Sequence, residues 1–210
     1  MRQLTRTRTF YRIFLSALFV VFPTGAHAAP FSLDFETPLP STLPSLVERS
    51  CANATIAGRT SASPKVGSYS FQFRGTDDCP ASDSRISYKL ADLSFPITSA
   101  TILKYKIAPQ STLGINISID LKIQNTDGSI LYLKDQGIYS TSDAILMHPA
   151  NQKDHASFNS CCPMAGFANI SARLGKLQGK TIKEIIIRYD DNYKEQRGTF
   201  DTRIDDIQIL

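Results

Sequence analysis

Several chemistries are missing from the sequence, and each absence narrows the range of functions. No GxSxG turn occurs, so the nucleophile elbow of the α/β-hydrolases is not indicated. No two cysteines have CxxC spacing, which argues against a thiolate metal site or a thioredoxin-like redox centre. No apolar run reaches the ~20 residues that a membrane-spanning helix needs. Helical periodicity is also lacking, which leaves β-structure as the expected class.

Net charge is nearly absent once the first 28 residues are set aside. Four arginines precede an apolar run over Ile13–Phe22, and Ala26–Ala28 has the small residues of a signal-peptidase site. We therefore expect residues 1–28 to be a cleaved signal peptide and residues 29–210 to be one exported domain, secreted or periplasmic. That domain has 23 − 4 = 19 basic residues against 19 acidic ones. Such a balance gives no reason to expect nucleic acid or an anionic membrane as a partner.

Alternation of apolar and polar residues predicts β-strands along most of the exported domain. In Ile115–Ile123 every second residue is isoleucine or leucine and the others are polar, as is typical of a strand in an antiparallel sheet. Tyr69–Phe73, Ile86–Leu90 and Leu103–Ile107 alternate in the same way, with turn residues between them. Together they predict an all-β antiparallel β-sandwich of the jelly-roll type. The polar face of Ile115–Ile123 is expected to be wet, and it carries Asn116, Ser118, Asp120 and Lys122.

The alternation changes phase in the last strand. Positions up to Ile204 are apolar on one face, whereas those from Ile207 onward are apolar in the opposite phase. This change of phase falls on Asp205 and Asp206. It predicts a β-bulge, in which one strand has an extra residue, and a bulge there turns a carboxylate inward. A buried carboxylate needs a cation or several hydrogen-bond donors. Because the other end of the domain offers Asp34 and Glu36, the sequence suggests a calcium site that joins the two ends.

Four cysteines in an exported chain predict disulfide bonds. They are Cys51, Cys79, Cys161 and Cys162. Adjacent cysteines pair with each other only through a strained ring, so we expect Cys161 or Cys162 to reach Cys51 or Cys79. Three connectivities are possible, and the sequence does not choose between them.

The segment Lys134–Met164 is about thirty residues long and lacks a sustained period, and loops of that length are usually functional or disordered. Its apolar residues argue against disorder. A sugar site needs a flat apolar surface and a few directed polar groups. The candidates for these parts are Tyr132, Asp135, Tyr139, His148 and Gln152, with Asp190 and Tyr193 from the loop 190–198 at the rim. The alternative is that the segment only covers the open end of the core, with His148 and Gln152 holding its backbone.

The strings DFE, VGSYSFQF, DGS, a loop with His-Pro and Gln, GKTIKEIIIRYDD and RIDDIQI follow one another along the chain. Their order resembles the galactose-binding-like jelly rolls that serve as carbohydrate-binding modules on secreted bacterial glycosidases. The resemblance spans nearly all of residues 29–210. It implies a glycan partner and a structural Ca²⁺ held by Glu36 with Asp34 beside it, by oxygens of the turn Lys65–Ser68, and by Asp205. Such modules often stack a tryptophan on the sugar; this chain has none, which leaves tyrosine for that role.

These observations favour a secreted, non-catalytic carbohydrate-binding protein with a structural calcium ion. A glycan-active hydrolase or lyase on the same scaffold is one alternative, but no pair of carboxylates stands out in the sequence. A protein-binding adhesion or host-interaction factor is the other. The sequence indicates neither the glycan nor the oligomeric state.

Overall fold

The structure, a computed structural model that describes residues 29–78, 84–158, 161–191 and 197–210, contains two antiparallel β-sheets. The strands are β1 (Phe31–Leu33), β2 (Ser45–Ser50), β3 (Asn53–Thr60), β4 (Ser70–Asp77), β5 (Arg85–Pro96), β6 (Ile102–Pro109), β7 (Ile117–Gln124), β8 (Ile130–Tyr132), β9 (Ala168–Arg173), β10 (Thr181–Asp190) and β11 (Gly198–Ile209). One sheet, here called the front sheet, has the order β2-β5-β10-β7-β8. The other, the back sheet, has the order β3-β4-β11-β6-β9, with β1 also paired to β11. This arrangement confirms the predicted antiparallel β-sandwich.

Several of the segments between strands contain short 3-10 turns. They are Thr112–Asn116, Leu133–Asp135, Pro149–Asp154, Ala156–Phe158 and Gly175–Leu177. No α-helix occurs within the described ranges, in agreement with the lack of helical periodicity. Accordingly, the described part of the chain has no helix with the length and apolarity needed to cross a membrane. The predicted signal peptide, residues 1–28, lies outside these ranges.

The inner faces of the two sheets meet in a core of aliphatic and aromatic side chains. In β7 the predicted alternation is confirmed, because every second residue is fully buried: Ile117, Ile119, Leu121 and Ile123. The neighbouring strand β10 places Ile185 and Ile187 opposite Leu121 and Ile119 on the same face. Truncating one such side chain to alanine costs roughly 2–5 kcal/mol, because it leaves a cavity between the sheets.

The opposite face of β7 is buried except at half-buried Lys122, so the expectation of a wet face was wrong for the other three residues. Asn116, Ser118 and Asp120 are each at most 3 % exposed. Two features cover this face. Arg188 of β10 lies beside Ser118 in the register and binds Asp120, and the turn Leu133–Asp135 packs against β7. A strand with a polar face can therefore still be covered when a neighbouring strand supplies the opposite charge.

The bulge predicted in the last strand is present. Asp205 pairs with Lys106 of β6, but the next paired residue is Gln208, opposite Lys104. Within this irregularity Asp206 has a positive φ of 51°, and Asp205 is fully buried. The extra residue lets the chain bury apolar residues on both sides of the bulge despite their opposite phase.

The cysteines are arranged differently from the expectation. The side chains of Cys161 and Cys162 lie against each other, the peptide bond between the two residues is cis, and their Cα atoms lie 3.1 Å apart. Cys51 is disulfide-bonded, and Cys79 lies outside the described residues. The expected long-range bridge from Cys161 or Cys162 is therefore not the pairing in this structure.

Candidate functional site

A buried arginine, Arg188 of β10, lies at the centre of the outer face of the front sheet. The register places it between Ser87 of β5 and Ser118 of β7. Its Nε donates to Asp120 Oδ2 at 3.0 Å, and its Nη1 donates to a carboxylate oxygen of Glu48 on β2. The Arg188 side chain is 1 % exposed, that of Asp120 0 % and that of Glu48 35 %. Glu48 is therefore the member of this cluster that solvent or a ligand reaches.

The charges of this cluster keep its exposed member, Glu48, ionised. Burial raises the pKa of Glu48, but the hydrogen bond and charge of Arg188 outweigh it and hold that pKa below its usual range. Burial lowers the pKa of Arg188, but the charge of Asp120 and the hydrogen bond to Glu48 outweigh it and raise the pKa. For Asp120 burial dominates and raises the pKa, although Arg188 opposes it. Glu48 is therefore an ionised hydrogen-bond acceptor near neutral pH.

Tyr132, at the end of β8, stands beside the arginine. The guanidinium carbon of Arg188 lies 5.5 Å from the centre of the Tyr132 ring, within the range of a cation–π contact. The following turn is tied to the same cluster, because the backbone N–H of Lys134 donates to Asp120 Oδ1 at 3.1 Å. The Lys134 ammonium then pairs with exposed Asp135 at 3.0 Å. The short turn after β8 thus holds an aromatic ring and a charged pair next to Arg188.

His148 and Asp190 complete this surface. The Nε2 atom of His148 lies 3.9 Å from Asp190 Oδ2, and Nδ1 accepts a hydrogen bond from the Ala150 N–H at 3.2 Å. Because Nδ1 accepts, the proton of the neutral ring is on Nε2 and points toward Asp190. Burial lowers the pKa of His148; Asp190 opposes this shift, and Lys134 adds to it. His148 is therefore a neutral N–H donor at pH 7.

The structure thus brings together four of the residues that the sequence singled out as ligand-binding. Tyr132, Asp135, His148 and Asp190 all lie around Arg188, as the contacts above and the charges that act on His148 show. We call this surface the Arg188 face; it also includes Glu48 and Lys134. Its members come from β2, β8, β10 and the segment after β8.

Gln152 has a different position from these residues. It is fully buried, and its Nε2 donates to the carbonyl oxygens of Leu146 and His148 at 3.2 and 3.1 Å. Its Oε1 accepts from the Tyr105 hydroxyl at 3.4 Å and faces His155 Nε2 at 3.1 Å. These bonds fasten the long segment to the core, which is the structural alternative foreseen for Gln152.

The two remaining tyrosine candidates are not part of the Arg188 face as described. Tyr139 is 55 % exposed and pairs with Leu146, and the next residue, Ser140, pairs with Ala172 of β9. Tyr139 is therefore at the β9 side of the molecule, and its side chain is exposed to solvent. Tyr193 lies outside the described residues.

Sequence reasoning missed Glu48 and Arg188. Arg188 follows a run of isoleucines in β10, and Asp120 lies within the most regular apolar alternation of the chain. Two opposite charges on the polar faces of two strong strands are a detectable signal, because such residues are stabilised by pairing across the sheet. Glu48 carries no comparable signal, since β2 is short, half of its residues are exposed and none is fully buried.

The residues predicted to hold calcium also converge, on the turn Val66–Tyr69. Glu36 Oε1 accepts from the backbone N–H groups of Ser68 and Tyr69 at 2.9 and 3.0 Å. Asp205 Oδ2 accepts from the N–H of Val66 at 2.7 Å. Carboxylates from the first and last parts of the domain therefore both hold this turn, through hydrogen bonds from its backbone N–H groups.

Asp205 fits a metal ligand better than Asp34 does. Burial raises the pKa of Asp205 to about 6, although the amides of Val66 and Asp206 oppose the shift. A buried carboxylate with so raised a pKa has too few compensating donors, and a calcium ion would supply the missing charge. Asp34 is exposed, and among the described residues it accepts only from the N–H of Glu36, at 3.1 Å. Within the described ranges no cluster of three acidic, histidine or cysteine side chains is positioned to hold a metal.

Lys65 and Ser68 belong to the same turn. Lys65 is half-buried and Ser68 is exposed. If calcium bound here, Glu36 and Asp205 would supply carboxylate oxygens and the turn backbone oxygens, which are ligands that calcium accepts in irregular geometry.

Comparison with known proteins identifies the fold. No protein-family model and no curated protein matches the sequence. Among solved structures, a carbohydrate-binding module of the β-sandwich superfamily, described for its promiscuous specificity, has a TM-score of 0.51 at 14% sequence identity. The chain has the fold of a β-sandwich carbohydrate-binding module. The match covers 80% of this chain but only 58% of that structure, and at such identity it concerns the fold and not the binding residues.

Two further structures match with lower scores. A carbohydrate-binding module that recognises mannan has a TM-score of 0.44 at 13% identity, covering 87% of this chain and 98% of that one. A xylan-binding domain from Paenibacillus barcinonensis has a TM-score of 0.40 at 10% identity, covering 85% and 91%.

Proposed function

We propose that the protein binds a glycan on the Arg188 face and does not cleave it. The observation that carries this proposal is the grouping of a tyrosine ring with oriented polar groups on one sheet face. Tyr132 offers a flat apolar surface for a sugar ring. Glu48 accepts hydrogen bonds from sugar hydroxyls, and His148 Nε2–H and Lys134 donate to them. The match to a carbohydrate-binding module in fold is consistent with this function.

The carboxylates of this face are suited to binding and not to hydrolysis. A glycosidase needs a general acid with a raised pKa that reaches the glycosidic oxygen. Of the two carboxylates that bind Arg188, the accessible one is Glu48, which has a lowered pKa and therefore carries no proton to donate at neutral pH. Asp120 has a raised pKa, but it is 1 % exposed and bound to Arg188. Acid catalysis needs a raised pKa and access to the substrate on the same carboxyl group, whereas here Asp120 has the first and Glu48 the second.

Retention on glycans, with and without substitution of one tyrosine, tests this proposal. The Tyr132→Ala variant should lose about five- to 150-fold in affinity for the glycan that an array identifies, since stacking on an aromatic ring contributes roughly 1–3 kcal/mol. Tyr139→Ala is the matched control, because Tyr139 is an exposed tyrosine away from the Arg188 face. Both variants should keep the wild-type melting temperature within about 2 °C.

Other results would contradict the proposal in distinct ways. If Tyr139→Ala loses retention and Tyr132→Ala does not, the ligand binds at the β9 side of the long segment. Release of reducing sugar from the bound glycan would identify a hydrolase or lyase. Absence of retention on every glycan, with capture of a purified host protein, would favour the adhesion factor.

We also propose that the protein is exported and contains a structural calcium ion. The leader pattern in residues 1–28 supports export to the periplasm or the medium. Buried Asp205, with Glu36 on the same turn, supports the ion. Bound there, calcium would neutralise Asp205 and fix the first strand of the domain to the last.

A further inference from the structure

A second polar groove lies on the opposite side of the molecule, on the outer face of the back sheet. It has a volume of about 320 Å³ and crosses the adjacent strands β9, β6 and β11. Its polar side chains are Lys104, Lys106, Asn169, Ser171, Asp206 and Gln208. That volume is at the small end of the range for ligand sites, which suits one or two sugar residues.

The strand register arranges these side chains in two rows. In one row Lys104 of β6 lies opposite Ser171 of β9 and Gln208 of β11. In the other, Lys106 lies opposite Asn169. Side chains directly opposite one another on neighbouring strands are about 5 Å apart, so the first row spans about 10 Å of sheet surface and the second about 5 Å.

The bulge in β11 organises one wall of the groove. Asp206 pairs with the ammonium of Lys106 at 2.9 Å and accepts from the amide Nε2 of Gln208 at 2.6 Å. The hydrogen bond from Lys106 lowers the pKa of Asp206, so the carboxylate stays ionised and holds both partners. With its nitrogen engaged, Gln208 presents its carbonyl oxygen as an acceptor.

Lys104 is the cation that remains available. It is exposed, and it forms no ion pair with any residue in the described ranges. Arg173, two residues beyond Ser171 on β9, is also exposed. Lys104, Lys106 and Arg173 against Asp206 give this surface a net charge of 3 − 1 = +2, whereas residues 29–210 as a whole are balanced. Such an excess attracts an anion.

We propose that this groove binds an acidic sugar, a hexuronate residue of a polysaccharide, and is separate from the Arg188 face. The carboxylate of the sugar pairs with Lys104, and Arg173 adds to the attraction. The hydroxyls of the sugar donate to Gln208 Oε1 and exchange hydrogen bonds with Asn169 and Ser171. No aromatic ring lines the groove except the buried strand residue Tyr105, so recognition rests on charge and hydrogen bonds.

Calorimetric titration with a galacturonic acid trisaccharide, and with its neutral galactose counterpart, tests the charge requirement. In the Tyr132→Ala background, which disables the Arg188 face, the protein should bind the acidic trisaccharide and not the neutral one, and binding should weaken as salt rises. Lys104→Ala should weaken it by about fivefold, the upper end for one exposed ion pair. Lys153→Ala, which removes an exposed lysine elsewhere, should leave it unchanged. The double variant Asn169→Ala/Ser171→Ala should weaken binding further through lost hydrogen bonds.

Backbone amide shifts locate the contact. The acidic trisaccharide should move the signals of Lys104–Lys106 and Asn169–Ser171, and Tyr132→Ala should not reduce that response. Equal binding by Lys104→Ala and Lys153→Ala, equal binding of the neutral sugar, or shifts confined to the Arg188 face would each overturn the proposal. Because neutral glycans are assayed separately through Tyr132, failure here leaves the function proposed for the Arg188 face untouched.

Discussion

Replacing Arg188 by methionine should destabilise the protein strongly. Methionine keeps much of the apolar stem but removes the guanidinium between two carboxylates. Asp120, with a side chain that is 0 % exposed, would then keep only the backbone N–H groups of Leu121 and Lys134 at 2.8 and 3.1 Å. Removing one partner of a buried ion pair costs about 3–5 kcal/mol, because the other charge remains without compensation. For a domain of this size that corresponds to a fall of about 6–20 °C in melting temperature.

A double-mutant cycle separates the buried charge from simple loss of packing. Adding Asp120→Asn to Arg188→Met removes the orphaned charge, so the double variant should recover a large part of the lost stability. Glu48→Gln serves as the control for a half-exposed partner and should cost about 1 kcal/mol or less. Urea denaturation followed by circular dichroism measures all of these free energies at pH 7. A cost below about 1 kcal/mol for Arg188→Met, or strictly additive effects with Asp120→Asn, would refute the buried pair.

Two further predictions concern Asp143 and Asp205. Burial raises the pKa of Asp143, but hydrogen bonds from Ser140 and His155 outweigh it and hold that pKa below its usual range. Its contribution to stability is therefore complete above the unfolded-state pKa and is lost as pH falls through the lower folded-state value. Asp143→Asn should cost about 1–3 kcal/mol at pH 7, and the difference from wild type should close below about pH 4; a gap that is constant with pH would contradict this. For calcium, EDTA should lower the wild-type melting temperature, and added calcium should restore it. At a calcium concentration a hundred times Kd, binding stabilises the folded state by about 2.7 kcal/mol. The Asp205→Ala variant should fold but respond to neither reagent. A wild-type melting temperature that changes with neither EDTA nor calcium would refute the proposed calcium site.

The parts of the fold that sequence predicted correctly depend on local periodicity. Each strand of Ile, Leu or aromatic residues at every second position has its inner face where the pattern placed it, as Phe71 and Phe73 in β4 also show. Periodicity states which residues share a face, but not what covers that face. The contact between Asp120 and Arg188 joins residues 68 positions apart, and that between Glu48 and Arg188 joins residues 140 apart. Both contacts depend on the order of the strands in the sheet, and the alternation of apolar and polar residues within a strand does not indicate that order.

The long segment illustrates the same limit within a predicted site. Composition identified it as able to bind a ligand, and His148 does lie beside Asp190. Composition gave Gln152 the same status, although it is fully buried. A polar side chain that holds a loop and one that contacts a ligand use the same chemical groups. Only the direction of the side chain separates them, and that follows from how the segment closes the edge of the sandwich.

The bulge could be predicted because it is a local event, and its consequences are larger than one residue suggests. β4 pairs with β11 only up to Ile204, and β1 takes over that edge from Ile207. The two aspartates between them fill the gap, where Asp205 turns inward to the turn at Val66 and Asp206 turns outward to Lys106. Without the extra residue the regular alternation would send Ile207 to the solvent face. One inserted residue therefore sets the docking of the first strand, the inward carboxylate proposed to bind calcium, and the wall of the groove on the back sheet.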